Sequence, residues 1–135
     1  MTAAILPLFF ILTTAFAPPV SKVKVVPLNQ EFDIRVGSDV WIENEGLKVN
    51  FSHVAEDSRC PEGVACVWAG NGKIVLRLSK RGRTPGKINL NTMLEPKQAS
   101  YRGYDIKLVK LEPYPKKDLR MKKREYVATL VVSRR

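Results

Sequence analysis

An all-β fold, either a small antiparallel sandwich or a partly closed barrel of about seven to eight strands, is the architecture that this sequence predicts. Three observations lead there. No 3.6-residue apolar pattern lasts three turns, eight Gly and nine Pro punctuate the chain, and the gaps hold short segments alternating apolar and polar residues.

The elements follow in order. Phe32, Ile34 and Val36 alternate with Glu31, Asp33 and Arg35, the pattern of a half-buried strand. After Gly37 and Ser38, Val40 and Ile42 share one face and Trp41 takes the other. Leu47, Val49, Phe51 and His53 then fall on a common face, with Lys48, Asn50 and Ser52 opposite. Asn71-Gly72 suits a type I′ turn, because both residues tolerate positive φ. It predicts a hairpin of residues 65–70 with 73–79. Val67, Ala69, Ile74, Leu76 and Leu78 would line the core, while Cys66, Trp68, Val75 and Arg77 would share the outer face.

A basic loop at 80–86 is followed by a strand carrying Ile88, Leu90 and Thr92. Tyr104, Ile106 and Leu108 alternate with Asp105 and Lys107, then the apolar phase shifts to Val109 and Leu111, as a bulge would produce. Pro113 and Pro115 end that strand, and residues 116–124, six of them basic, form an exposed crossover with room for one helical turn. Residues 126–132 are apolar on both faces except at Thr129, which predicts a central strand.

Residues 1–17 contain no charged side chain, and the apolar run at 5–16 is shorter than the roughly 20 residues that cross a bilayer as a helix. With Ala15-Phe16-Ala17 at its end, the segment reads as a secretory signal, leaving residues 18–135 as a single β domain. The alternatives are a retained amino-terminal anchor and an apolar segment that packs into the fold. Export places the chain in a periplasmic or extracellular compartment, where Cys60 and Cys66 pair as a disulfide. Pro61 and Gly63 between them favour the turn that such a bond needs.

The local sequence Asp57-Ser58-Arg59-Cys60-Pro61, a short turn, then Cys66-x-Trp68-x-Gly70 resembles the hallmark of a widespread, poorly characterised family of small bacterial secreted proteins and lipoproteins. Tyr104 and the Leu-Glu-Pro-Tyr-Pro run at 111–115 fit the same resemblance. It implies an exported alternating-strand domain and carries no established activity with it. The chain lacks the lipid-attachment cysteine of the lipoprotein members.

Charge divides unevenly along the chain. Of the net +10, residues 18–72 hold five Lys/Arg against eight Asp/Glu, and residues 73–135 hold eighteen against five. Candidate binding residues are Arg59 and Trp68 in the cysteine loop, the basic group Lys80, Arg81 and Arg83, and the run Lys116, Lys117, Arg120, Lys122, Lys123 and Arg124. An anionic polysaccharide, a lipid headgroup or an envelope protein would suit them. Export argues against nucleic acid. No cofactor is implied and no metal site is assigned, the alternative being His53 with Cys60 and Cys66 as thiolates. Hydrolytic motifs such as H-E-x-x-H are absent from the sequence. A secreted hydrolase using carboxylates such as Asp57, Glu62 and Asp105 is a further alternative, and a protease-inhibitor-like loop is another.

Overall fold

A computed structural model describes residues 15–17, 19, 22–117, 122 and 125–135. The predicted signal therefore lies almost wholly outside the described residues, as do Arg120, Lys123 and Arg124. Nine strands occur among the described residues: β1 (Lys24–Val26), β2 (Phe32–Arg35), β3 (Asp39–Ile42), β4 (Leu47–Asp57), β5 (Gly72–Lys80), β6 (Gly86–Asn91), β7 (Gln98–Tyr101), β8 (Tyr104–Glu112) and β9 (Val127–Arg134). They form two sheets, ordered β1-β3-β4-β5-β6 and β2-β9-β8-β7, packed face to face as a sandwich with no closed barrel. All neighbours are antiparallel except β1 and β3.

Alternation explains the core. Val40, Ile42, Leu47, Val49, Phe51, Ile74, Leu76, Leu78 and Leu90 point inward from the five-stranded sheet. Phe32, Ile34, Ile106, Leu108, Leu111, Ala128, Leu130 and Val132 meet them from the four-stranded one. As its two apolar faces predict, β9 is internal, flanked by β2 and β8. The predicted bulge in β8 is present between Leu108 and Lys110, and it restores Leu111 to the inner face.

Three expectations are corrected. The hairpin about Asn71-Gly72 does not form: residues 65–70 are outside the sheets, and β5 pairs along its whole length with β4. The left-handed conformation belongs to Gly70 (φ +71°), where a Cβ would lie 1.8 Å from the Ser58 carbonyl oxygen. Asn71 instead buries its side chain, accepting the amides of Met93 and Leu94 at Oδ1 and donating Nδ2 to Asn91 Oδ1. Val67 therefore does not line the core but is 91 % exposed, and Trp68 does not pack on a neighbouring strand but is 82 % exposed. Finally, the register of β4 slips after Phe51, turning His53 outward and bringing Val54 inward opposite Ile74.

Candidate functional site

Both ends of β4 carry an ionic lock that ties the sheets together. At its carboxyl end, Asp57 accepts a bidentate pair from Arg59, Nε at 2.8 Å and Nη2 at 2.9 Å. The Tyr126 hydroxyl donates to the same carboxylate at 2.8 Å. Arg59 also donates to the carbonyls of Leu111 and Pro113, and the Tyr114 ring lies 4.5 Å from its guanidinium carbon. Only 4 % of Arg59 is exposed. The residue expected to reach out from the cysteine loop is turned inward, and its donors are occupied.

Burial opposes the charge on Asp57, but the hydrogen bonds from Arg59 and Tyr126 outweigh it and hold the pKa below the ordinary carboxylate value. Burial and the hydrogen bond to the Asp57 carboxylate push the Tyr126 phenol up to about 12.

At the opposite end, in the turn between β3 and β4, Glu45 accepts the Tyr104 hydroxyl at 2.6 Å and Arg134 Nη2 at 2.8 Å. Those two bonds lower its pKa against the cost of burial. Lys80 Nζ donates to the Tyr104 hydroxyl at 2.7 Å and to the Glu45 carbonyl. Of the predicted basic group, Lys80 is thus part of this lock, while Arg81 and Arg83 are exposed in the loop between β5 and β6. Lys116 and Lys117 are exposed at the other end, where the backbone of Lys116 pairs with that of Glu62 in an isolated parallel β-bridge. The length of β4, about 30 Å at ~3.3 Å per residue, separates the two basic groups, so the fold does not gather them into one patch.

Cys60 and Cys66 are joined in a disulfide with Cα atoms 5.9 Å apart, closing the loop that leaves β4 for β5. This bond fits an oxidising compartment. It also occupies both sulfurs that the metal alternative requires. Among the described residues no group of three or more His, Cys, Asp or Glu side chains is placed to hold a metal ion. Asp57 and Asp105 lie at opposite ends of the sandwich, Asp105 next to Tyr104 and 3.5 Å from Arg135. The three carboxylates Asp57, Glu62 and Asp105 therefore do not converge.

Alternation places a different constellation on the outer face of the five-stranded sheet. Asp39, Asn50, Arg77 and Lys87 stand directly opposite one another across β3, β4, β5 and β6, with Trp41, Lys48 and Ser79 in a second row. Together with Pro85 and Gly86, the polar members of these rows line a shallow groove of about 620 Å³. Asp39 is engaged by Asn50 Nδ2 at 2.6 Å and by Lys48 at 3.6 Å. Among the described residues, Arg77 and Lys87 form no ion pair and no side-chain hydrogen bond. The outward direction of Lys48, Asn50 and Arg77 is legible in the sequence, but their adjacency depends on the pairing of β4 with β5, which the expected hairpin obscured. Comparison with protein-family models, curated proteins and solved structures finds no match.

Proposed function

We propose that this chain is an exported binding domain that engages an anionic polysaccharide across the outer face of its five-stranded sheet. The observation that carries this reading is the pair Arg77 and Lys87. Like charges directly opposite on neighbouring strands repel by up to about 1 kcal/mol, and here neither has an acidic partner among the described residues. A bound carboxylate or sulfate would lie between them and relieve that repulsion. Asn50 supplies a neutral amide, and in the adjacent row Lys48, paired with Asp39 and lying over the Trp41 ring, borders the pair with an indole for a sugar ring beside it. Arg81 and Arg83 extend the positive field along the loop that borders the groove at Pro85 and Gly86. The uncharged apolar segment at 1–17, the disulfide and the resemblance of the cysteine motif to secreted bacterial proteins support export.

Heparin, a sulfated polysaccharide, is the probe. The native chain is expected to be retained at low salt and released as salt rises. The double variant R77S/K87S is expected to bind about a hundredfold or more weakly, since each lost charge-assisted hydrogen bond contributes about 1.5–3 kcal/mol, whereas R102S keeps native retention. Flow-through of the native chain, or equal retention of R77S/K87S, refutes the assignment. Intact mass of the processed protein tests the compartment: the expected chain starts after residue 17 and contains no reactive thiol.

A further inference from the structure

At the end of the sandwich away from Arg81 and Arg83, the loops β4–β5, β6–β7 and β8–β9 come together. Asn71 binds the amides of Met93 and Leu94, and the Glu62 amide donates to the Pro115 carbonyl, so the cysteine loop is held between its two neighbours. Large apolar side chains project from these loops rather than packing inward. Val67 and Trp68 are almost wholly in water, Met93 and Leu94 are exposed in the neighbouring β6–β7 loop, and Tyr114, with one side of its ring towards Arg59, is exposed in the β8–β9 loop. Nothing in the core requires this. The inward-facing positions are filled, and a soluble loop would carry polar residues in their place.

We propose that this disulfide-stapled tip is a membrane-docking surface that seats on a bilayer containing anionic lipid. Two independent features select that occupant. The apolar groups sit on a protruding tip, not in a groove, so they suit a deformable interior into which Val67 and Trp68 insert while the indole N–H stays at the headgroup level. Lys116 and Lys117 are exposed where the basic segment 116–124 begins, next to the tip at Glu62, and they complement anionic headgroups. The Cys60–Cys66 bond and the Cys60 amide donating to the Ala69 carbonyl close the loop at its base, so insertion orders little additional chain. No helix among the described residues is long and apolar enough to cross a membrane. The sandwich would then stand with its opposite, arginine-bearing end pointing away from the bilayer.

The test is co-sedimentation with vesicles of phosphatidylcholine alone and of phosphatidylcholine with phosphatidylglycerol in equal parts. W41F leaves Trp68 as the sole tryptophan of the two in the chain. Its emission is expected to shift to the blue when the mixed vesicles are added. The variant V67S/W68S is expected to lose about tenfold or more in vesicle affinity with an unchanged unfolding midpoint, because both side chains are exposed. K116S/K117S should lose about 25-fold on mixed vesicles, at roughly fivefold per lysine, and R77S/K87S should bind as the native chain does. Absence of vesicle binding overturns the proposal. So does binding with unmoved Trp68 emission, or full retention by V67S/W68S, either of which assigns the attraction to charge alone. Capture of a protein partner by the tip without vesicle binding likewise overturns it.

Discussion

The two ends of the sandwich solve the same problem with the same chemistry and opposite burial. Each places a carboxylate at one end of β4 and brings to it an arginine and a tyrosine hydroxyl, the tyrosine lying in or directly before a strand of the four-stranded sheet: Asp57 with Arg59 and Tyr126, Glu45 with Tyr104 and Arg134. At the cysteine end the guanidinium is enclosed. At the other, the Arg134 side chain is 66 % exposed although Glu45 itself is buried. An enclosed cation needs hydrogen-bond partners in place of water, and all three guanidinium nitrogens of Arg59 find them in Asp57 and two carbonyls. An exposed cation is hydrated and screened, so its partner depends on it less. The cysteine end is therefore the rigid one, and that rigidity supports a loop carrying apolar side chains in water.

Removing the arginines separates the two locks most clearly. Arg59→Ala leaves Asp57 buried without its partner and should cost about 3–5 kcal/mol, read as a large fall in the urea midpoint. Arg134→Ala should lower the midpoint far less, because water reaches the vacated place. Equal losses would contradict the distinction drawn from burial. Gly70→Ala is expected to come next, at more than the about 1–2 kcal/mol of the left-handed backbone alone, since its Cβ would also collide with the Ser58 carbonyl. Native stability in that variant would show that residues 58 and 70 are not held in contact.

Legibility in the sequence divides along physical lines. Where large apolar residues alternate with polar ones, the buried face is legible even in a short strand: Phe32 and Ile34, and Val40 and Ile42, follow directly from it, and β9 from its continuous apolar run. The β8 bulge is readable because both phases carry large apolar residues. That in β4 is not, because Ser52 and His53 are polar and only Val54 marks the new phase. β1 and β7 are three and four residues long and largely exposed, so their order comes from their partners. Asn71-Gly72 misleads because local turn propensity competes with β4–β5 pairing and with the buried bonds of Asn71, and the tertiary interactions win. The groove was half visible: Lys48, Asn50 and Arg77 face outward by alternation, but no local pattern says which strands lie side by side.

The disulfide offers a finer probe of the cysteine end. Its closure of a seven-residue loop corresponds to about 2 kcal/mol of unfolded-state entropy. C60S/C66S should lower stability by about that amount and leave the fold intact, because the inter-sheet lock does not include the sulfurs. Proteolysis should then cut within residues 61–69 before any strand. Cleavage elsewhere first would mean that the staple, not Arg59, holds this end together.

The smallest effect is the most specific. Tyr126 keeps its proton in the folded chain up to about pH 12, whereas an unfolded tyrosine loses it near the ordinary value of 10. Its contribution to stability is therefore complete below pH 10 and disappears as pH rises towards 12. Asp57 and Glu45 act in the opposite direction, since both have lowered pKa values. Their contributions are complete above about pH 4–5 and are lost as pH falls through the depressed values. Tyr126→Phe removes one hydrogen bond to the Asp57 carboxylate and should cost about 1.5 kcal/mol at neutral pH, the low end for a charged acceptor. It should also flatten the loss of stability between pH 10 and 12 while leaving the acid limb in place, because Arg59 still holds the carboxylate. An unchanged alkaline limb in that variant would place the titrating group elsewhere and remove Tyr126 from the lock.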